Sequence, residues 1–341
     1  MSTIGVIANP LAGKDIRRLV AHASPTSDGA KIGIVRRMVV GAVEGGATRI
    51  LLAPDTHRLC ERAVDGLKLG SVVVEVLDFA FEGSRKDTIV AAEHMRAADV
   101  GTVVVLGGDG THRDVAKGWL DAPMIAISTG TNNVFPRNID ATVAGLAAGL
   151  VASKSICLND VAHAANVIHA ELPDGERDLA LVDVGVVTGS FTGSRAVWDS
   201  GDLLAVMSCI AEPDTVGLAS IGARLFPSDR HSSGAVFVRT APASDATMTV
   251  RAPIAPGSFD DISIVDARQL VDDETIEVAG PCVLSFDGER DVVLQAGDCA
   301  RLSVRRDGPR VIDPTTTLML AARERLFVRT TNNDSRIHHG R

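Results

Sequence analysis

Gly107-Gly108-Asp109-Gly110-Thr111 sets three glycines around one carboxylate. Glycines let the backbone turn where a Cβ would forbid it, and they bring bare N–H groups close to a ligand such as phosphate. A carboxylate inside such a turn repels phosphate unless it holds a metal ion or accepts a proton, and both are tasks in phosphoryl transfer. Asp109 is therefore the candidate catalytic residue and a candidate metal ligand. Thr111 can cap the helix that Val115, Ala116, Trp119 and Leu120 indicate, so the turn lies at a helix N-terminus, where anions are favoured. His112 beside it reads as a capping or packing histidine.

Four other polar segments could join this loop. Ser128-Thr129-Gly130-Thr131-Asn132-Asn133, closed by Pro136, brings hydroxyls and amides to a strand end, and Asn132 and Asn133 can each donate to and accept from a ribose or an adenine edge. Asn9 and Pro10 follow the first strand, again at an edge where open α/β sheets bind ligands. The neighbouring Gly13-Lys14 is not a P-loop, since Ala8 and Asp15 stand where that motif needs Gly and Ser or Thr. Ser194 and Arg195, after Gly193 at a helix start, are a candidate phosphate or substrate contact. Phe286-Asp287-Gly288-Glu289-Arg290 reads as a hairpin tip with two carboxylates, which matter for chemistry if the tip folds over the Asp109 crevice.

These loops need a scaffold, and the hydrophobic pattern supplies it. Residues 102–106, an unbroken apolar run from Thr102 to Leu106, predict a strand buried on both faces, as in a parallel sheet covered by helices. Strands over 3–8, 50–53, 72–77 and 124–127 alternate with helices over 31–43, 59–67, 87–98 and 141–152, and Asp15 reads as the N-cap of a further helix. This rhythm predicts a doubly wound parallel sheet. After Ser153 the texture changes to short runs at 155–158, 163–172, 179–187, 235–240, 247–251, 262–265, 275–278, 282–286, 292–295 and 300–304, broken by Pro, Gly and Asp turns. A mainly antiparallel, β-rich second domain is expected, interrupted by helical segments at 193–198, 203–210 and 216–225. The expected division is an α/β nucleotide-binding domain over 1–152 and a β-rich domain over 153–310. A helix over 311–329, returning to the first domain, and a disordered tail over 330–341 complete it.

The 341 residues suffice for two domains with substantial cores. With 45% hydrophobic and 23% charged residues the composition is that of an ordinary globular protein, and the net charge of −9 argues against a nucleic-acid or acidic-membrane surface. No apolar run reaches transmembrane length and no secretory signal opens the chain. The five cysteines have no metal-type spacing and read as reduced thiols, so a cytoplasmic setting is expected.

With these segments placed, the chain resembles the NAD kinase and diacylglycerol kinase superfamily, and more narrowly the acetoin-catabolism X proteins. The narrower resemblance rests on Ile7-Ala8-Asn9-Pro10, Asp15 to Arg18, Leu106 to His112, Ser128 to Asn133 with Pro136, Ala252 to Gly257, and Asp287 to Arg290. It implies an α/β domain, a β-rich domain, a site between them, and a homo-oligomer, dimer or tetramer. It further implies an ATP- and Mg²⁺-dependent kinase acting on a small-molecule hydroxyl; the net charge and the rarity of aromatic and apolar stretches point away from nucleic acid and membrane as partners. Carried over, Gly107, Gly108, Gly110 and Thr111 lie against nucleotide phosphates and Asp109 near the metal or the accepting hydroxyl. Asn9, Pro10, Gly130, Thr131, Asn132 and Asn133 complete the nucleotide site. The Asp-Gly-Glu motif of the lipid-kinase branch makes Glu289 the second catalytic carboxylate. In NAD kinases a glutamate follows an asparagine at the ribose site; here Asn133 follows Asn132, and an amide cannot anchor two ribose hydroxyls as a carboxylate does. NAD is the first acceptor on family grounds, with a lipid-type acceptor, or a non-catalytic NAD- or ATP-binding accessory protein, as alternatives.

Overall fold

Three adjacent parallel strands, β1 (Thr3–Ala8), β4 (Thr102–Gly107) and β5 (Pro123–Ser128), form the centre of the first sheet. The computed structural model describes residues 1–12, 26–129, 133–189 and 200–328. β2 (Arg49–Leu52) and β3 (Val73–Val76) extend the sheet on one side, in the order β3-β2-β1-β4-β5. On the other side it is completed from far along the chain, by β18 (Arg310–Ile312) parallel to β5 and then β6 (Ala162–Ala164) antiparallel to β18. Every residue of β1 and β4 is buried, as their unbroken apolar runs require.

One face is covered by α1 (Asp28–Glu44), α2 (Leu59–Val64), α5 (Ala141–Ala152) and α8 (Pro314–Arg323). Their starts are written locally: Ser27, Asp140 and Asp313 each accept a backbone N–H of the first turn, and Pro314 takes the first position of α8. α1 and α5 meet backbone to backbone. A Cβ on Gly145 would lie 1.9 Å from the Met38 carbonyl oxygen, and Cβ atoms on Gly41, Gly45 and Gly149 would lie 2.2–2.4 Å from the carbonyl oxygens facing them. The opposite face carries α3 (Arg85–Ala97) and α4 (Asp109–Gly118), and beyond them the second half of the molecule shares the same core through Val167, Leu179, Leu181 and Ile210.

That second half is a sandwich. A seven-stranded antiparallel sheet runs β12 (Met248–Ala255), β13 (Ser258–Leu270), β11 (Ala235–Thr240), β10 (Leu203–Ser208), β9 (Asp183–Val187), β15 (Cys282–Phe286), β16 (Glu289–Leu294). One of its faces packs on a four-stranded sheet, β14 (Thr275–Ala279), β17 (Cys299–Arg305), β7 (Val167–Glu171), β8 (Arg177–Ala180), and the other on α7 (Ala219–Leu225). The expected parallel α/β half and antiparallel β-rich half are both present.

Three local expectations are corrected. Residues 203–208 form a strand and not a helix, because pairing with β9 and β11 decides an apolar run whose periodicity is ambiguous. The expected strand at 155–158 gives way to a short helix, α6 (Leu158–Val161). The N-cap of α4 is Gly108, with extended backbone, so Thr111 lies inside the helix. The helix expected from Asp15 and the tail after Thr330 lie outside the described residues.

Candidate functional site

The carboxyl ends of β1, β4 and β5 lie side by side, and each runs into one of the polar loops singled out above. β4 hands over through Gly107 and Gly108 to α4, whose first residue is Asp109. A Cβ at Gly107 would lie 2.5 Å from Cβ of Thr111, and one at Gly108 would lie 3.0 Å from Oδ1 of Asn133. At Gly107 glycine is required by close approach, and the space the two glycines leave is bounded by the site's own residues.

Around this turn the side chains are already tied together. Asn9 Nδ2 donates to Thr111 Oγ1 at 2.9 Å, while Asn9 Oδ1 accepts from the Leu11 and Ala12 N–H groups at 2.8 and 3.3 Å. Thr111, freed from capping, therefore links α4 to the β1 loop. That loop is gripped from beneath by Lys31, whose Nζ donates to the carbonyls of Asn9, Pro10 and Ala12 at 3.1, 2.6 and 2.7 Å. Lys31 is fully buried on the inner face of α1. A charge in such a place is tolerated because carbonyl dipoles replace its water.

Asp109 reaches the third loop. The Val134 N–H donates to both its oxygens at 3.1 Å and the Phe135 N–H to Oδ1 at 2.9 Å. Asn133 Nδ2 donates to Ser128 Oγ at 2.9 Å. The loop closes at its base, where the Ser128 N–H donates to the Arg137 carbonyl and the Arg137 N–H to that of Ala126. Gly130, Thr131 and Asn132 lie outside the described residues, as do Ser194 and Arg195. His112 is buried, with Nδ1 2.8 Å from the Gly108 carbonyl and its ring against Phe135, and burial drives its pKa down to about 4. It is a neutral packing group at ordinary pH.

From α4 a second set of contacts leads to the β-rich half. Arg113 is fully buried; Nε donates to the Leu179 carbonyl at 2.6 Å, Nη2 to Asp178 at 2.8 Å, and its guanidinium lies 4.8 Å over the Phe286 ring. Lys117 meets the other oxygen of Asp178 at 2.7 Å. Burial pushes the Asp178 carboxyl up, but Arg113 and Lys117 together hold it below the ordinary carboxylate value. Phe286 is the root of the Asp-Gly-Glu turn, so that turn stands on the helix that begins at Asp109. Asp287, with φ of 50°, accepts the N–H groups of Leu181, Val182 and Asp183 at 2.8–3.2 Å. Burial raises its pKa to about 6, against the pull of Arg113 and these N–H groups. Glu289 follows as the first residue of β16; its backbone is described, and its carboxylate lies outside the description.

Lys31, Arg113 and a buried polar group on β9, β10 and β15 were not singled out from the sequence. In that group Ser208 stands opposite Asp183 and Ser285 opposite Gly185, which puts Asp183, Ser208 and Ser285 on one sheet face. All three are buried, and the two hydroxyls have no hydrogen-bond partner among the described residues. Asp183 did leave a signal, as a lone carboxylate in the apolar run Leu181-Val182-Asp183-Val184.

Residues 166–307 match the family model described as acetoin catabolism protein X C-terminal domain, and residues 46–153 that described as ATP-NAD kinase N-terminal domain. Acetoin catabolism protein X of Cupriavidus necator is 31% identical over 337 residues, spanning 95% of this chain and 93% of that protein. Among solved structures, yeast NADH kinase complexed with NADH superposes with a TM-score of 0.51 at 12% identity, over 98% of this chain and 89% of the kinase. A candidate diacylglycerol kinase from Bacillus anthracis strain Sterne superposes with a TM-score of 0.50 at 13% identity, over 92% of this chain and 98% of that one. The fold is that of the NAD kinases. No helix among the described residues is long and apolar enough to cross a membrane.

Proposed function

We infer, since the chain belongs to the acetoin catabolism protein X family, that it transfers a phosphoryl group from ATP to the hydroxyl of a small molecule in acetoin catabolism, with NAD as the first acceptor to test. The observation that carries this reading is the Gly107–Thr111 turn at the N-terminus of α4, cross-linked to the loops of both neighbouring strands by Asn9–Thr111 and Asp109–Val134/Phe135. A helix start leaves N–H groups directed out of the helix, and close-set glycines let phosphate oxygens reach them. The loop would hold the phosphates in line, which is most of what phosphoryl transfer asks of a protein.

No group of three or more His, Cys, Asp or Glu among the described residues could hold a metal ion by itself. The donor set suits magnesium that arrives on the nucleotide's phosphates and takes one carboxylate from the protein, the usual mode for this ion; Asp109 is that carboxylate in our reading, and the ion would neutralise phosphate charge. We assign Glu289 as the group that takes the proton of the acceptor hydroxyl. In support, Asp287 pins the turn before it and Phe286 packs under Arg113 of the Asp109 helix.

A second reading has an observation of its own. Both oxygens of Asp109 accept loop N–H groups, so the carboxylate could serve chiefly to hold the loop of a nucleotide-binding accessory protein that does not turn over. One experiment separates the two. ADP release from ATP and Mg²⁺ is measured with NAD, NADH, acetoin-related alcohols and diacylglycerol as acceptors, with Asp109→Asn as control. The kinase reading expects turnover on one acceptor and a loss on the order of 10²-fold or more in the variant. An Asp109→Asn protein as fast as wild type would sink it. Absence of turnover, with ATP or NAD raising the melting temperature, would favour the binding protein or an acceptor outside the panel.

A further inference from the structure

We propose that Arg230 is a positioning residue for Asp109, acting through the peptide group that joins Val134 to Phe135; this rests on the phosphotransfer reading above. The carbonyl of Val134 and the N–H of Phe135 belong to that one group. Arg230 Nη2 donates to the carbonyl at 3.1 Å, and the N–H donates to Asp109 Oδ1 at 2.9 Å. Arg230 Nη1 takes the next carbonyl, that of Phe135, at 3.0 Å. A cation on the carbonyl side polarises the peptide and strengthens its N–H as a donor to a carboxylate, so guanidinium, peptide and Asp109 form a single polarised chain.

Arg230 is in turn fixed by Glu212, which accepts from Nε at 3.0 Å and from Nη2 at 2.7 Å. Glu212 also accepts from Arg137 at 2.5 Å, and Arg137 closes the base of the same loop. Burial alone would raise the Glu212 carboxyl, but the Arg230 bond and the charges of Arg230 and Arg137 hold it below its ordinary value, so it stays ionised. One carboxylate from the segment after β10 thus anchors the loop at two points. Arg230 and Glu212 both follow β10 in the chain, whereas Asp109 and the loop sit on the first sheet. The aim of the Asp109 carboxylate is therefore set by how the two halves of the molecule seat against each other.

The test uses the full chain with Arg230→Met, Arg230→Lys and Glu212→Gln, read by amide hydrogen exchange and by ATP-dependent turnover. In Arg230→Met the Val134 and Phe135 amides should exchange at least about 10-fold faster while those of Val104 and Val105 in β4 keep their protection. Turnover should fall at least about 10-fold in kcat with KM for ATP within about threefold, and millimolar guanidinium should restore part of kcat. Arg230→Lys should be intermediate, since one ammonium cannot serve two carbonyls and a carboxylate fork together. Unchanged exchange at Val134 and Phe135, or a loss carried wholly by KM, would overturn the proposal. If wild type turns over none of the acceptors, the phosphotransfer reading fails and exchange alone decides: faster exchange supports the coupling, unchanged exchange overturns it. Should Arg230→Met not fold, Glu212→Gln carries the same test, with changes in the same direction and smaller.

Discussion

Arg113→Met isolates what holds α4 to the β-rich half. Methionine nearly matches the arginine stem in length, so packing is largely kept and the guanidinium's bonds are what is lost. Among the described residues the losses include a charge-assisted bond to the Leu179 carbonyl, one of the two cations on Asp178, and the cation over Phe286. Removing one member of a buried ion pair typically costs 3–5 kcal/mol, and relief from burying a guanidinium is already inside that range. Lys117 still neutralises Asp178 in the variant, which puts the expectation near the low end, at about 3 kcal/mol. Arg113→Lys keeps a charge but not the planar fork and should cost about 1–2 kcal/mol. The assay is urea unfolding followed by tryptophan fluorescence, with midpoint and slope both recorded, in a cycle with Asp178→Asn. A coupling of about 1 kcal/mol or more between positions 113 and 178 is expected. If Arg113→Met unfolds within about 1 kcal/mol of wild type, this contact adds little to the junction of α4 with the β-rich half and the argument for it is wrong.

Three further outcomes follow from the same geometry. Asp287 has its folded pKa, about 6, above the unfolded value, so its contribution to stability is complete at low pH and is lost as pH rises through about 6. Across that window the loss is roughly 3 kcal/mol, and Asp287→Asn, compared with wild type in denaturant titrations at pH 4.0 and 7.0, should therefore look less harmful at the higher pH. Gly145→Ala gains about 1 kcal/mol of helix propensity but sets a methyl 1.9 Å from a carbonyl oxygen that cannot step aside; a net loss of about 2 kcal/mol or more is expected by thermal unfolding. Lys31→Met leaves three carbonyls without their donor, and limited proteolysis should cut within residues 9–12 at least about 10-fold faster than in wild type.

The central strands were legible because a parallel sheet buried on both faces leaves an unbroken apolar run, and 3–8, 102–107 and 123–128 are such runs. The three polar loops were legible for the complementary reason that each breaks such a run abruptly. Residues 203–208 were misread because five apolar residues in six satisfy either period, and only β9 and β11 settle the matter. What the sequence could not show was the wiring. Lys31 sits in an apolar helix pattern, Arg113 in a polar one, and Arg230 in a loop; each is defined by carbonyls that are remote in the chain or by a side chain on another element. Asp109 was legible by type, as a carboxylate set among close-spaced glycines. Its bonds to Val134 and Phe135 depend on loop geometry that residue types do not encode.

The first sheet is finished by strands that the ribosome delivers late. Until Arg310 and Val311 emerge, the β5 edge at Pro123 and Met124 has no partner on that side, and β6, made earlier, has no β18 to pair with. Met124 is fully buried in the finished protein, and the half-built sheet presents it beside an open row of backbone donors and acceptors. A chain released after residue 152 would carry that edge permanently and should self-associate. The nascent full-length chain carries it only for the time translation takes to reach β18, a natural interval for a chaperone to shield it.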